Sequence, residues 1–584
     1  MDHPSMNYKI SGGLFTIRNH NNYYSDFCFP TMRGPSNLPN PLRSRSHALR
    51  LGDVFGPLIH RFARVAPYSL SISSTSHFQG LPHDRKVPDQ FFTRDITEMN
   101  PDEVLRLRVI QGLMNRSGPA LYLIGNHHDS FWLGRLSGDH RPLRDSDIPI
   151  FPEILFDPDS MLQRYLALTL CGIHGCVPVH DAQDPFLNIS SLTEKATLTM
   201  MIETSRKTNS SMISFRNTPY PEQVDFIVRD RLFLSPLSLP CHIPIIGRFL
   251  PKNTQARTLL SIMDSLDNDS LMIGYNIRAG VFGEYETISF LSDHGCSSLP
   301  VPGVPNLSFF STLPRIHIRS GGGPISNSPV LSENRSSEMQ NPVPIVTSNK
   351  PEHIQSIPSE GPSKTYIAIL LSDGDNLELP FQKYESFGEK HSTPLGWSIS
   401  PFLNEFAPTM FDYYSSNLAG QDTLVCAPSG AGFTYPSQHA NLPAFLQHTR
   451  NFMDQSHLEY LWLLDHPFRG YSPMLLNVLS RFVRGMFLEY AIVRSYRQSM
   501  ELYGTTPAVF SAGFVETDGK IAKKIIQKTP KKGSGFLAIG VEMRYHSPSF
   551  IDSEIDSLDP DRYEVVGIPR FFELMRNHLV LKHT

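Results

Sequence analysis

Seven short apolar segments alternate with helix-forming ones from residue 364 to the end of the sequence. In chain order they are TYIAILL, LGWSIS, TLVCAPS, LEYLWLLD, PAVFSAGF, GFLAIGV and YEVVGI. Between them, apolar residues such as Phe445, Thr449 and Phe452 recur at the spacing of one helix face. This alternation over about 220 residues predicts an α/β fold with a (β/α) barrel-like C-terminal domain, and a doubly wound parallel sheet is the alternative. Because TYIAILL is almost wholly apolar, we expect an interior strand there.

Helix and strand patterns also alternate upstream, within residues 86–318. Asn100 is a predicted helix cap, Pro101 takes the first helical position, and apolar residues follow at helical spacing until the strand ALYLI. We therefore expect two or more small α/β domains in this region. Residues 1–85 and 319–363 are rich in Ser, Pro and Asn without a sustained period. That composition predicts a mostly disordered N-terminal segment and a disordered linker.

The net charge of −4 at pH 7 gives no electrostatic reason to expect nucleic acid as a partner. No stretch has the roughly eighteen apolar residues of a membrane span, and the first residues lack the pattern of a signal peptide. The six cysteines are scattered and predict no disulfide framework. We expect neither a metal nor another cofactor, and the compartment and oligomeric state stay open.

Polar residues follow several of the predicted strands. Asp373, Asp375 and Asn376 come directly after the first strand, in SDGDNLEL, and Asp465 and His466 follow the fourth. In both candidate folds the carboxyl ends of the strands meet at one rim, where ligands bind. Carboxylates beside aromatic rings suit a sugar. Each residue also has a structural explanation, since Asp373 and Asp375 could form an Asx turn and cap the next helix.

The segment SGAGFTYP, residues 429–436, resembles the signature of the GxGYxYP family, with Phe433 where the pattern has Tyr. LSDGDN, PLGWSISPFL and QDTLVCAPSGAGFTYP occur in the family's order. Upstream, VIQGLMNRSGPALYL followed by FWL, and GEYETISFLSDHG followed by NLSFFS, resemble its N-terminal domains. The resemblance covers roughly residues 86–318 and 364–584. It implies a barrel-like C-terminal domain of the glycoside hydrolase type, an assignment that rests on fold and context. The sequence departs from the family around PVPGVPN and EMRYHSP.

We therefore expect hydrolysis of a glycosidic bond by carboxylate acid/base chemistry at the C-terminal rim of the barrel, with a carbohydrate as the partner. The candidate catalytic residues are Asp373, Asp375, Asp465 and Glu284. The candidate substrate-binding residues are Asn376, Trp397, Ser400, Asp422, Ser429, Gly430, Gly432, Phe433 and Tyr435. One alternative is a metal-dependent carbohydrate deacetylase-like hydrolase, with the Asp373 cluster and His466 as ligands. The other is a carbohydrate-binding protein without catalysis.

Overall fold

The structure is a computed structural model, and it divides the chain into two units. The smaller unit holds Met1–Thr75 and Ala279–Val281, and the larger unit holds Ser76–Arg278 and Phe282–Thr584. The described residues are 8–10, 13–15, 88–208, 212–215, 223–237, 241–243, 248–250, 253–265, 270–273, 283–299, 304–314, 364–372, 374, 377–387, 389–466, 471–489, 500–516, 519–529 and 535–583. The segments predicted to be disordered, 1–85 and 319–363, lie outside these residues apart from two short strands.

The first half contains small α/β sheets, as predicted. Its strands are β1 Tyr8–Ile10, β2 Gly13–Phe15, β3 Gln90–Asp95, β4 Leu121–Ile124, β5 Asp139–Pro142, β6 Glu153–Leu155, β7 Val177–Val179, β8 Leu187–Asn188, β9 Met212–Phe215, β10 Phe233–Ser235, β11 Cys241–Ile243, β12 Arg248–Leu250, β13 Leu271–Ile273 and β14 Ser297–Leu299. Its helices are α1 Pro101–Met114, α2 His127–Leu133, α3 Met161–His174, α4 Glu194–Ser205, α5 Val224–Asp230, α6 Thr254–Met263, α7 Gly283–Asp293 and α8 Leu307–Phe310.

Three parallel sheets organise these upstream elements. Their strand orders are β4-β3-β5, β7-β6-β8 and β10-β9-β13-β14, while β1-β2 and β11-β12 are antiparallel pairs. Helix α1 begins as predicted, because the Asn100 side chain accepts a hydrogen bond from the Glu103 backbone N–H and Pro101 opens the first turn.

The second half forms one large sheet with helices around it. Its strands are β15 Thr365–Ser372, β16 Leu395–Ile399, β17 Thr423–Cys426, β18 Tyr460–Leu464, β19 Gly485–Glu489, β20 Met500–Tyr503, β21 Thr506–Phe510, β22 Phe514–Val515, β23 Gly535–Glu542 and β24 Tyr563–Val565. Its helices are α9 Glu378–Gln382, α10 Tyr384–Phe387, α11 Leu403–Phe406, α12 Pro408–Ser416, α13 Leu442–Gln455, α14 Pro473–Leu479, α15 Ile521–Lys528, α16 Pro548–Ile555 and α17 Ile568–His583.

This sheet is parallel except between β20 and β21, and it curls into a barrel-like shape. The strand order is β20-β21-β19-β18-β17-β16-β15-β23-β22, with β24 beside the first half of β15. The chain between β21 and β22 brings the two ends of this order together. Ser511 N–H donates to the Leu488 carbonyl of β19, and Ala512 N–H donates to the Ala538 carbonyl of β23. The barrel-like prediction is therefore confirmed, with β15 as an interior strand.

Three strand assignments differ from the sequence prediction, and one of them is β20, which the prediction omits and which pairs antiparallel with β21. The segment YEVVGI pairs with the beginning of β15 and does not take its own place in the ring. A strand absent from the prediction, β19, lies in the ring between β18 and β21. The sequence after Ser472 has the apolar spacing of a helix as far as Met486, but α14 ends at Leu479. Three residues of β19, Met486 to Leu488, are buried.

Side chains of helix α17 fill the amino-terminal part of the barrel interior. The inward-facing residues form one apolar cluster with this helix: Ala368, Leu370, Val425, Phe487, Val509 and Ala538 from the strands, and Phe571, Phe572 and Met575 from α17. Because α17 follows β24, which pairs with the first residues of β15, the helix closes the amino end of the barrel. Gly485 has to be glycine here, since a Cβ would lie 2.4 Å from the Phe572 ring.

Among the described helices, none combines the length and the apolar character that crossing a bilayer would need.

Candidate functional site

The carboxyl rim of the barrel carries two inward-facing glutamates. Glu489 ends β19 and pairs in register with Leu464 of β18, while Glu542 ends β23 and pairs with Ser372 of β15. Side chains alternate between the two faces of a strand, so Glu489 lies on the same face as the interior residue Phe487. By the same rule, Glu542 lies on the face of the interior residue Ala538. Only the chain from β21 to β22 separates the two strands.

The carboxyl group of Glu489 is held away from water. The residue keeps some accessible surface, but its Oε2 is buried and makes no hydrogen bond with any described residue. Burial raises the pKa of Glu489 from 4.5 to about 7, because a buried charge is poorly solvated. The Ser511 hydroxyl, the Trp462 indole and the charge of Lys524 lower this pKa by less. The group is therefore positioned to carry a proton near neutral pH.

Trp462 lies inside the barrel, below the carboxyl rim. It is 4% exposed, and its ring reaches across the interior to Gly540 of β23 and the Phe514 side chain of β22. The indole Nε1 is buried and, within the described part of the chain, has no hydrogen-bond partner. The Oγ of Ser372, at the end of β15, is also buried and has no hydrogen-bond partner among the described residues. Buried polar atoms usually have partners, so each of these two atoms is available to bond a water molecule or a polar ligand.

Tyr471 holds the backbone of Glu489. Its hydroxyl oxygen accepts a hydrogen bond from Glu489 N–H at 3.0 Å and lies beside the Glu489 carbonyl oxygen. The same hydroxyl is 2.8 Å from the Leu463 carbonyl oxygen of β18. Burial raises the pKa of Tyr471 well above its usual value, so the phenol stays protonated. Tyr471 thus ties the ends of β18 and β19 together.

Glu542 has a different environment from Glu489. Its side chain is buried, and its Oε1 lies 3.9 Å from Nε of Arg544 and accepts a hydrogen bond from the Arg544 backbone N–H at 3.3 Å. A neighbouring guanidinium and a donating N–H both stabilise the ionised form of a carboxyl group. The rim therefore combines one carboxyl whose burial favours the neutral form with one that lies beside a cation.

The residues predicted after β15 lie outside the described part of the structure. These are Asp373, Asp375 and Asn376, and the side chain of Glu284 in α7 is also not described. Gly374, between the two aspartates, is described, and its N–H donates to Oγ of Ser398 at 3.1 Å. Gly374 therefore lies against β16.

Trp397 and Asp422 bind each other away from the rim. Trp397 packs on the Phe387 ring, with centroids 4.6 Å apart, and its indole N–H donates to Asp422 Oδ2 at 2.8 Å. His391 Nε2 lies 2.9 Å from the same oxygen. Asp422 directly precedes β17, so it lies at the amino end of the barrel. A cavity beside Trp397 has room for no more than about one water molecule.

Ser400 takes part in a local turn. Its Oγ accepts a hydrogen bond from the Phe402 N–H at 3.3 Å, and its carbonyl accepts one from Leu403 N–H at 3.0 Å. The side chain is fully buried. These contacts start helix α11.

The signature segment, residues 429–436, docks on the upstream sheet. Phe433 forms an antiparallel bridge with Ser298 of β14, with N···O distances of 2.8 and 2.6 Å. Ser292 Oγ of α7 accepts a hydrogen bond from Tyr435 N–H at 2.9 Å and lies 2.8 Å from the Thr434 hydroxyl. Gly432 has φ 89°, and a Cβ there would lie 3.0 Å from the Ser298 carbonyl oxygen. The segment therefore joins the barrel to the β13–β14 sheet.

Asp465 and His466 support the same segment. Oδ1 of Asp465 accepts hydrogen bonds from Ser437 N–H at 3.1 Å, from the Ser437 hydroxyl at 2.8 Å and from His466 N–H at 2.7 Å. The His466 ring meets the buried Tyr435 ring edge to face at 5.7 Å. Ser429, with φ 61°, bonds Leu464 through its hydroxyl, and Gly430 approaches Thr449. Among the described side chains, no group of three or more His, Cys, Asp or Glu could hold a metal ion.

The sequence prediction omits Glu489, Tyr471 and Trp462. Glu489 is omitted because its strand is omitted. The signal was present, since three apolar residues precede this glutamate as they do in other strands of the ring. Tyr471 gives no local signal, because its partners lie on two different strands. Trp462 lies in a predicted strand, but the sequence does not say which of its faces is inside.

Two family models match the chain. The model described as "GxGYxYP putative glycoside hydrolase C-terminal domain" matches residues 363–576, and the model described as "GxGYxYP_N 1st domain" matches residues 90–166. No curated protein matches the chain.

Among solved structures, the chain is similar to "a putative hydrolase from Bacteroides thetaiotaomicron VPI-5482", with a TM-score of 0.65 and 19% identity over 85% of this chain and 96% of that one. This similarity shows a shared fold. A 4-alpha-glucanotransferase from Thermococcus litoralis has a TM-score of 0.26 and 12% identity over 36% of this chain and 40% of that one, which is too low to bear on the fold. Both family models match in chain order on the small α/β region and the barrel-like domain, so the chain is a member of the GxGYxYP family.

Proposed function

We propose that the protein hydrolyses glycosidic bonds at the carboxyl rim of its barrel, with Glu489 as the proton donor. The observation that carries this proposal is the placement of Glu489, a buried inward carboxyl at the end of a barrel strand with one oxygen free of described partners. Ligands of barrel enzymes bind at this rim. The family description and the similarity to a hydrolase fold support the reaction class.

A general acid must hold its proton until the bond breaks. The pKa of about 7 keeps Glu489 protonated in mildly acidic to neutral solution. As the bond from the anomeric carbon to the leaving oxygen breaks, that oxygen takes the proton and Glu489 becomes a carboxylate. Ser511 and Lys524, which favour the ionised form, then stabilise the product state. Tyr471 keeps the glutamate backbone in place.

The test compares wild type with Glu489→Gln on alkyl and dinitrophenyl glycosides. We expect kcat/KM of wild type to fall as pH rises through about 7, because the acid loses its proton. The variant should lose roughly 10²- to 10⁴-fold on alkyl glycosides, whose leaving groups need protonation. It should lose much less on dinitrophenyl glycosides, which leave without an acid. The matched control is Glu564→Gln, an exposed carboxyl of β24 beside the first residues of β15, and it should keep wild-type rates.

Other outcomes favour the other predicted functions. Binding of glycans without turnover of any glycoside would favour a carbohydrate-binding protein. Turnover lost with a chelator and regained with metal would favour the deacetylase-like hydrolase, with Asp373, Asp375 and Asn376 as its predicted ligands. Equal losses for Glu489→Gln on both leaving groups would contradict its role as the acid. Asp373 and Asp375 remain predictions as further carboxylates of the site.

A further inference from the structure

We infer that Glu542 is the ionised carboxylate that faces Glu489 and pairs with the positive charge on the sugar ring as the glycosidic bond breaks. This inference rests on the proposed function, because the charge arises in that reaction. Glycosidases use two carboxyl groups on opposite sides of the scissile bond.

Glu542 lies at the same carboxyl rim of the barrel as Glu489. Both residues end parallel strands of the ring and face inward, with one stretch of chain between them. At ordinary strand spacing, two steps around the sheet put the strand axes roughly 10 Å apart. Both side chains point toward the centre of the barrel, so a carbohydrate bound across the rim can contact both.

Two further buried polar atoms at the rim, one of them beside Glu489, also suit a polar ligand. Trp462 is 4% exposed and Ser372 is 6% exposed, yet the Trp462 Nε1 and Ser372 Oγ have no partner among the described residues. Ser372 pairs in register with Glu542, and the Trp462 indole is near enough to Glu489 to lower its pKa. A sugar offers hydroxyl groups that can accept from the indole N–H and exchange hydrogen bonds with the serine.

The surroundings of the two carboxyls assign their roles. Glu489 is in a place where the neutral form is favoured, and Glu542 is 3.9 Å from the Arg544 guanidinium. Two carboxyl groups held in opposite protonation states are the usual arrangement of an acid and its ionised partner.

The test is binding of protonated iminosugars, measured by titration calorimetry at pH 6. The probes are deoxynojirimycin and its galacto and manno isomers, whose ring nitrogen carries the charge of the reacting sugar. We expect Glu542→Gln to weaken the best probe at least tenfold. Glu489→Gln should stay within threefold, because Glu489 is neutral at this pH. The control Glu564→Gln removes one exposed charge of β24, beside the first residues of β15, and should stay within twofold at physiological salt.

Hydrolysis is measured on the same variants to separate the two proposals. If Glu489→Gln loses turnover while Glu542→Gln keeps both binding and turnover, this inference is wrong and the proposed function stands. If wild type hydrolyses nothing but Glu542→Gln loses probe binding, the proposed function is wrong and Glu542 keeps its role in binding cations. If wild type binds none of the three probes, the inference is overturned.

A second variant covers the case that Glu542→Gln does not fold. Arg544→Met removes the competing cation and leaves the carboxylate in place. We expect the probe to bind several-fold more tightly to this variant, because its charge then meets Glu542 without a competitor. A purely structural pair predicts unchanged or weaker binding, and that result would overturn the inference.

Discussion

At the scale of single residues, Glu489 is held in surroundings that disfavour its charge. Its folded pKa, about 7, lies above its ordinary value of 4.5, with burial as the largest cause. Folding therefore favours the protonated form. The contribution of this group to stability is complete below pH 4.5 and is lost as pH rises through 7. The shift corresponds to at most about 3 kcal/mol in the free energy of unfolding.

We predict that Glu489→Gln is more stable than wild type at pH 8 by up to about 3 kcal/mol, because a neutral amide replaces a buried charge. Near pH 4.5 the two proteins should unfold at nearly the same denaturant concentration. Urea unfolding at the two pH values measures the difference. A gain of the same size at both pH values would show that packing, and not ionisation, separates the variant from wild type.

A candidate site residue could be predicted where its neighbours in the sequence indicate it. It could not be predicted where its role depends on which face of the sheet it lies on. The segment SDGDNLEL predicts Asp373 as a site residue, and Asp373 lies outside the described residues. Trp397 and Trp462 are indistinguishable as tryptophans in apolar strands. Only the register shows that Trp397 packs outward on Phe387 and that Trp462 lies inside the barrel.

At the scale of elements, the signature segment is built for contact between two parts of the chain. Phe433 extends the β13–β14 edge, and Ser292 bonds the backbone of Tyr435. The sequence predicts a tight Gly-x-Gly turn, and both glycines have positive φ. What the turn approaches could not be predicted, because β14 lies far away in the sequence.

We predict that Gly432→Ala destabilises the protein by about 1 to 3 kcal/mol, because alanine is strained at φ 89° and its Cβ would press on Ser297 and Ser298. Amide exchange of Phe433 and Ser298 should rise more than exchange in the barrel core. The matched control is Gly420→Ala, whose Cβ would meet nothing within 4 Å. Equal effects of the two substitutions would contradict the docking role.

At the scale of the whole molecule, one apolar core connects the upstream sheets with the layer around the barrel. Trp132 of α2 shows the connection, since it is fully buried and its indole N–H donates to the Phe381 carbonyl of α9 at 2.9 Å. The Tyr413 ring lies 5.5 Å away. The α/β class and the barrel-like domain were predictable from periodicity, but this shared core joins residues too distant in sequence for any local pattern.

We predict that the larger unit unfolds in one transition. Trp132→Phe should lower its stability by about 1 to 3 kcal/mol, because the buried Phe381 carbonyl loses its donor. Calorimetry and far-ultraviolet circular dichroism should then shift together. The control is Met474→Leu, a change at an exposed residue of α14. A second transition that leaves the barrel signal at its original temperature would contradict a shared core.

Helix α17 also has a consequence for the order in which the chain is made. During synthesis β15 is made first, and α17 is made after every strand of the ring. The inner faces of the strands therefore lack their contacts with Phe571 and Phe572 until the whole ring has been synthesised. Until then a nascent chain exposes an unfilled apolar concavity, the kind of surface that chaperones bind and that aggregates. We therefore expect a ribosome pause between β23 and α17 to increase aggregation of this domain more than a pause elsewhere in it.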